Sequence, residues 1–120
     1  TAARPEMESG VFAELVPDYT ANREQGLKDR SVVFWADQLC KTTPLLIMHG
    51  SADWRVLPEE SLELVGQLYA AKHPLRFILF EGADHGIREW RDERFVQTKR
   101  HFDYYLRDGN PLPMMEKHGK

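Results

Sequence analysis

The sequence has little of several features that assign a protein to a class at once. Its single cysteine, Cys40, excludes an internal disulfide, indicates neither an oxidising nor a reducing compartment, and is expected to be a small buried side chain. No apolar run approaches the ~18 residues that a membrane span needs, so we expect no membrane association. The net charge is only -3, and without a long basic block nothing predicts a nucleic-acid partner. The compartment stays open, with the cytoplasm slightly favoured.

What remains is an ordinary globular composition, with 42% hydrophobic and 29% charged residues in a chain of 120. Such a chain can bury one modest core. We predict a single partial domain over residues 1–120, with an irregular or helical lead-in over 1–29 and a tail over 107–120. Because the chain begins with Thr1 rather than Met, we expect it to be a fragment of a longer protein.

Two short apolar runs predict two neighbouring strands. The first follows Pro44, and its continuous apolar character is typical of a parallel strand covered on both faces, at about 44–49. The second predicts a strand at about 76–80. The segment between them has a helical pattern, which Pro58 opens and Pro74 stops. A strand, a helix and a strand in this order place the strands parallel and side by side, which predicts an α/β fold.

The pattern of apolar residues also predicts which helix faces are buried. In the helix between the strands, the predicted buried face is Leu62, Val65, Leu68 and Tyr69. A last helix is predicted over about 91–106, with Phe95, Phe102 and Leu106 on one side. The polar run over residues 20–25 is predicted to be a surface loop.

Each predicted strand ends in a loop with a side chain suited to acid–base chemistry. Asp53 follows the first strand and His85 follows the second. Parallel strands send both loops to the same edge of the sheet, where open α/β folds place their sites. There an Asp can fix the tautomer of an imidazole and stabilise the imidazolium, while the other ring nitrogen takes a proton from a nucleophile. The order Asp then His is that of α/β-hydrolases, whose serine comes earlier in the chain.

Several blocks of the sequence together resemble a known family. They are Arg30-Ser31, Trp35-Ala36-Asp37 with Leu39, the stretch Thr43 to Asp53 with Val56, and Gly82-Ala83-Asp84-His85-Gly86. In this order over residues 30–106, they resemble the C-terminal end of the catalytic domain of the prolyl oligopeptidase family of serine peptidases. The resemblance implies the C-terminal part of an α/β-hydrolase fold, with Asp53 as triad acid and His85 as triad base. It also implies a peptide or small acyl substrate and no cofactor.

One element of that family is missing from the 120 residues, namely the Gly-x-Ser-x-Gly turn that carries the nucleophile. No serine of this chain has glycine both two positions before it and two positions after it; the serines are Ser9, Ser31, Ser51 and Ser61. The oxyanion hole is built partly from the backbone after the nucleophile, so it is missing as well. We expect the nucleophile to lie outside this chain and the chain alone to be inactive.

Other interpretations of the same residues remain open. Asp53 can be an ordinary turn residue, and Asp84 is a rival carboxylate beside His85. His49 is either a structural residue at the strand end or a zinc ligand with Asp53 and His85, although no close-spaced ligand pair supports a metal site.

Substrate binding, the overall function and self-association also remain open. Trp54 and Arg55 are weak candidates for substrate binding at the entrance to the site. A non-catalytic interaction module and an acyl or ester hydrolase are the alternative functions. Two strands alone leave an edge unpaired, so we expect the isolated chain to form a homo-oligomer through the strand that starts at Pro44.

Overall fold

The two apolar runs form neighbouring parallel strands in the computed structural model, which describes residues 7–119. Strand β1 spans Leu45–Gly50 and strand β2 spans Leu75–Phe80, so both predicted strands are confirmed to within about one residue. The register pairs the first residues of the two strands with each other, and likewise their last residues. Both strands therefore end at the same edge of the sheet, and the loops that follow them start side by side.

Contacts divide the chain into two compact units, Thr1–Ala36 and Asp37–Lys120. The first unit holds a π-helical turn and two helices, and a 3₁₀ helix runs across the boundary: these are Glu8–Phe12, α1 over Ala13–Leu15, α2 over Arg23–Arg30, and Val32–Gln38. Helix α2 begins within the polar run that was predicted to be a loop, so the loop prediction is wrong for residues 23–25. The first six residues of the predicted lead-in and Lys120 of the predicted tail lie outside the described residues.

Helix α3, Pro58–Ala70, connects the two strands. Pro58 stands at the first helical position, where its missing N–H leaves no hydrogen bond unmade, and Glu59 and Glu60 complement the positive end of the helix dipole. The helix packs on both strands. Its inward stripe follows helical spacing and consists of Ser61, Leu64, Val65 and Leu68, of which Leu68 is fully buried.

Two residues of the predicted buried face of α3 are exposed instead. Leu62 and Tyr69 each follow a residue of the inward stripe. A step of one residue turns the side chain by about 100° around the helix, which carries both of them out of the contact with the strands. The buried face is therefore narrower than predicted.

Helix α4, Arg91–Phe102, continues into a π-helical segment, Asp103–Arg107, and turns a polar face inward. Phe95 is 68% exposed and Leu106 is 76% exposed. Polar contacts fix this orientation, because Arg94 donates to the carbonyl of Gly86 and Nε2 of His101 lies 3.2 Å from the carbonyl oxygen of Pro44. The predicted apolar side of the helix exists, but no described residue covers it.

The small core lies where β2 leads into its loop. Phe80, Ala83 and Ile87 are buried, and Met48, Ile78 and Trp90 pack against them. Most strand residues are only half-buried, which corrects the expectation that the strands are covered on both faces. The apolar packing is thus concentrated beneath the loop that carries His85.

Two further observations concern expectations drawn from composition. Cys40 is exposed, with its Sγ 3.0 Å from the hydroxyl of Thr42, so the expectation of a buried cysteine is wrong. Among residues 7–119, none of the helices is both long enough and apolar enough to cross a membrane.

The end of α3 generates a test of the fold. Lys72 has a left-handed φ of 54°, which costs an L residue about 1 kcal/mol. Its amide donates to Tyr69, and the amide of His73 donates to Leu68, a helix ending that usually has glycine at this position. We predict that Lys72→Gly is about 1 kcal/mol more stable to unfolding than Lys72→Ala.

The comparison with Lys72→Ala is the matched control, because both variants lose the exposed ion pair of Lys72 with Glu116. Urea unfolding measures both free energies. Equal stability of the two variants contradicts the left-handed conformation.

Candidate active site

Asp53 lies in the loop after β1, and its carboxylate is enclosed. Only 3% of its side chain is exposed. Oδ1 accepts hydrogen bonds from the backbone amides of Arg55, at 2.8 Å, and Val56, at 3.1 Å, an arrangement typical of an Asp that organises a turn. Both amides bond the same oxygen, which leaves Oδ2 to meet side chains from elsewhere.

His85 lies in the loop after β2 and donates its Nδ1 proton to Oδ2 of Asp53 over 2.8 Å. A carboxylate can only accept, so the proton is on Nδ1 and a neutral ring carries its lone pair on Nε2. Half of the side chain is exposed, at 50%, and no described residue bonds Nε2. The structure thus brings together the two residues that the sequence singled out, and it presents Nε2 to the outside.

A second imidazole reaches the same carboxylate. His49 in β1 is buried, and its Nε2 lies 3.2 Å from Oδ2 of Asp53 and 3.0 Å from the carbonyl oxygen of Val56. Its Nδ1 lies 2.6 Å from Oγ of Ser61 in α3. The sequence analysis left His49 as a structural residue or a metal ligand and gave Ser61 no role. The position of Ser61 on the inward stripe of α3 is the signal that could have found it.

The pKa of Asp53 lies below its ordinary value, although burial acts in the opposite direction. Burial disfavours the charged carboxylate and by itself raises the pKa. The hydrogen bond from His85, those from the amides of Val56 and Arg55, and the positive charge of a protonated His85 together outweigh burial. Asp53 is therefore ionised at neutral pH, as a group that stabilises an imidazolium must be.

Backbone contacts fix the two loops against each other. The amide of Ser51 donates to Phe80 over 2.8 Å, and the amide of Ala52 donates to Ala83 over 3.0 Å. Oγ of Ser51 accepts from the amide of Gly82 at 2.8 Å. Ser51 lies between His49 and Asp53, where a nucleophile could be sought. Its hydrogen bonds instead connect the two loops.

The rival carboxylate, Asp84, organises its own loop. Its Oδ1 accepts from the amide of Gly86 at 2.7 Å, and its amide donates to Glu89 over 3.2 Å. His85 is hydrogen-bonded to Asp53 and not to this neighbour. The alternative in which Asp84 partners His85 therefore has no support in the geometry.

The turn around His85 uses an unexpected residue. Gly82 takes a left-handed φ of 68°, but the next left-handed residue is Ile87, with φ 50°, rather than Gly86. A β-branched residue rarely adopts this conformation. The buried contacts of Ile87 with Phe80 and Ala83 offset the cost, so the core beneath the loop holds the turn that aims His85.

The sequence also leaves open a metal site and a substrate-binding role near Asp53. Among residues 7–119, no group of three or more His, Cys, Asp and Glu side chains is arranged to hold a metal ion. Trp54 is exposed, and the guanidinium of Arg55 lies 5.5 Å from the centre of its ring. Their role in substrate binding stays a prediction.

With this geometry in place, comparison with known proteins identifies the family. The sequence profile of the prolyl oligopeptidase family matches residues 5–110. The chain belongs to this family. The resemblance to this family drawn from the sequence blocks is confirmed, and the parallel strands and helices of the structure agree with the α/β-hydrolase fold that the family implies.

One curated relative matches most of the chain. "Dipeptidyl peptidase family member 6" of Caenorhabditis elegans is 30% identical over 82 residues, which is 68% of this chain and 10% of that protein. The chain therefore spans about a tenth of the length of this relative. No solved structure gives a significant match to the chain.

The close approach of the two loops at Gly50 generates a prediction. A Cβ on Gly50 would overlap the backbone carbonyl oxygens of Ala83 and Asp84 and lie 2.7 Å from the carbonyl carbon of Ala83. We predict that Gly50→Ala destabilises the protein by about 2 kcal/mol or more, because only backbone can move to relieve the overlap.

Gly66 on the exposed side of α3 provides the matched control. A Cβ there meets nothing within 4 Å, so Gly66→Ala is expected to stabilise by about 0.5–1 kcal/mol. Thermal and urea unfolding of both variants check this difference. A Gly50→Ala protein as stable as the parent contradicts the described junction.

The pKa of Asp53 generates a second prediction, on the pH dependence of stability. Because the pKa is lower in the folded state, the ionised carboxylate contributes stability above its unfolded pKa of about 3.9, and this contribution is lost as the pH falls through the folded pKa. Asp53→Asn removes the contribution. We therefore expect the stability gap between parent and variant to be largest near neutral pH and to shrink on acidification.

Urea unfolding of both proteins between neutral and strongly acidic pH measures this gap. A gap of constant size across that range contradicts the lowered pKa.

Proposed function

We propose that this chain is the C-terminal portion of the catalytic domain of a serine peptidase and supplies two members of its triad. Asp53 is the acid and His85 is the base, and the serine lies outside these 120 residues. The observation that carries the proposal is the 2.8 Å hydrogen bond from Nδ1 of His85 to the buried carboxylate of Asp53, with Nε2 left open.

The chemistry follows from this arrangement. The serine attacks the carbonyl carbon of a peptide bond while Nε2 of His85 takes its proton. The resulting imidazolium is stabilised by the ionised carboxylate of Asp53, which also keeps the ring in the required tautomer. Nε2 then returns the proton to the leaving amine, and a water molecule repeats the cycle on the acyl-enzyme. The two residues need no cofactor for these steps.

Four observations support placing the nucleophile elsewhere. The 120 residues contain no Gly-x-Ser-x-Gly turn. The segment that matches the nematode protein covers only 10% of that protein. Among the described residues, β1 and β2 pair only with each other, so the outer edge of each strand is open. The exposed side of α4, with Phe95, Phe102 and Leu106, is likewise suited to burial against more of such a domain.

The division of the chain is part of the proposal. We assign residues 1–29 to a lead-in and residues 107–120 to a tail of one partial domain, with both triad residues in the second unit, Asp37–Lys120. In isolation, the open edge of β1 is expected to produce self-association, which light scattering measures.

The test uses the complete protein that contains this chain and a fluorophosphonate probe, which labels the active serine of serine hydrolases. We expect labelling of the parent protein. His85→Ala should lower kcat on a peptide anilide by about 10⁶-fold, and Asp53→Asn by about 10⁴-fold. The isolated 120 residues should not be labelled.

His118→Ala is the matched histidine control, because His118 is an exposed residue of the tail, and it should leave labelling unchanged. A His85→Ala protein that is labelled and active like the parent overturns the proposal. Hydrolysis of an ester without cleavage of the peptide points instead to an acyl hydrolase that uses the same pair, Asp53 and His85.

A further inference from the structure

We infer that His49 is a positioning residue for the catalytic acid: held by Ser61, it fixes the loop of Asp53 so that Oδ2 faces His85. The inference deepens the proposed function and rests on the Asp53–His85 pair being catalytic. It concerns two side chains that take no part in the proton transfers described above and that lie on the rigid elements β1 and α3.

The contacts of His49 determine where its proton lies. Nε2 is within 3.0 Å of the carbonyl oxygen of Val56 and within 3.2 Å of Oδ2 of Asp53. Both oxygens are acceptors, and a lone pair on Nε2 would be repelled by both, so Nε2 carries a proton. In the neutral ring, Nδ1 is then the acceptor and the hydroxyl of Ser61, at 2.6 Å, is the donor. Ser61 thereby sets the tautomer of His49.

The same contacts close the loop of Asp53 from both ends. His49 lies in β1 before the loop, and Ser61 lies in α3 after it. Both backbone polar groups of Val56 form hydrogen bonds. Its amide donates to Oδ1 of Asp53, and its carbonyl accepts from Nε2 of His49. His49 therefore holds the loop of Asp53 through the backbone of Val56, and its Nε2 lies 3.2 Å from Oδ2.

The carboxylate of Asp53 depends on this contact for its orientation. Each of its oxygens has two polar neighbours: the amides of Arg55 and Val56 at Oδ1, and the imidazoles of His85 and His49 at Oδ2. His49 is only 8% exposed and lies behind the acid, so its loss should change turnover rather than substrate affinity. This separates a positioning role from a role in binding.

Two substitutions of His49 test the inference in the complete protein. The amide of Gln reaches the position of Nε2 and keeps a donor there, whereas the amide of Asn ends at the position of Nδ1. We expect His49→Asn to lower kcat by about tenfold with KM unchanged, the effect of losing the hydrogen bond to the carbonyl oxygen of Val56 that fixes the loop of the acid. His49→Gln should retain most of the parent kcat.

A double variant tests whether His49 acts through Asp53. In an Asp53→Asn background, His49→Asn should lower kcat by less than about twofold, because the group it positions is already gone. A full tenfold loss in that background overturns the inference, as does a His49→Asn protein with the kcat of the parent.

Ser61→Ala keeps the test decisive if His49→Asn fails to fold. The helix propensity of alanine partly offsets the loss of the hydrogen bond to His49, so this variant should still fold, and it should lower kcat severalfold by releasing the tautomer of His49. Gln67→Ala, at an exposed position of the same helix, is the matched control and should leave kcat unchanged. A Ser61→Ala protein with unaltered kcat overturns the inference.

A readout that does not depend on activity is the tautomer itself. Long-range ¹H–¹⁵N spectra should assign the Nε2–H form to neutral His49, and the Nδ1–H form overturns the inference.

Failures of the two proposals are distinguishable. If His85→Ala and Asp53→Asn are inactive but His49→Asn is not impaired, the positioning role alone is wrong; if His85→Ala is fully active, both are wrong.

Discussion

The buried negative charge of Asp53 is the constraint on which the rest of the site depends. A carboxylate that loses water must find donors within the protein, or it becomes neutral. Here two backbone amides donate to Oδ1 and His85 donates to Oδ2, with Nε2 of His49 3.2 Å from Oδ2. Bringing those donors together requires parallel strands of matched length, a helix that returns the chain between them, and two loops in contact. The close approach at Gly50 provides the last of these.

Much of this arrangement could be predicted from the sequence, because strong local signals agree with one another. Continuous apolar runs mark both strands, and a proline followed by acidic residues marks the start of α3. Once a helix joins two strands, their parallel pairing follows from geometry. That pairing places Asp53 and His85 at one edge. Their types then predict the hydrogen bond between them before any coordinates are known.

The remaining features depend on tertiary contacts that have no local signal. Ser61 looks like any helix residue until α3 packs against β1 and brings its hydroxyl to His49. Helix α2 lacks an apolar stripe, and pairs of polar side chains such as Lys28 with Glu24, at 2.8 Å, accompany its helical turns. The inward face of α4 is polar because its contacts go to backbone carbonyls. The left-handed Ile87 reflects core packing, which periodicity does not report.

We propose that His85, held by Asp53, is the base that serves the nucleophile of a serine peptidase. A crystal structure of the complete protein with its serine trapped by a fluorophosphonate tests this most directly. We expect Nε2 of His85 within about 3 Å of the trapped Oγ, with Nδ1 still bonded to Asp53. A trapped serine whose hydrogen-bonding partner is another residue, with His85 facing solvent, would contradict it.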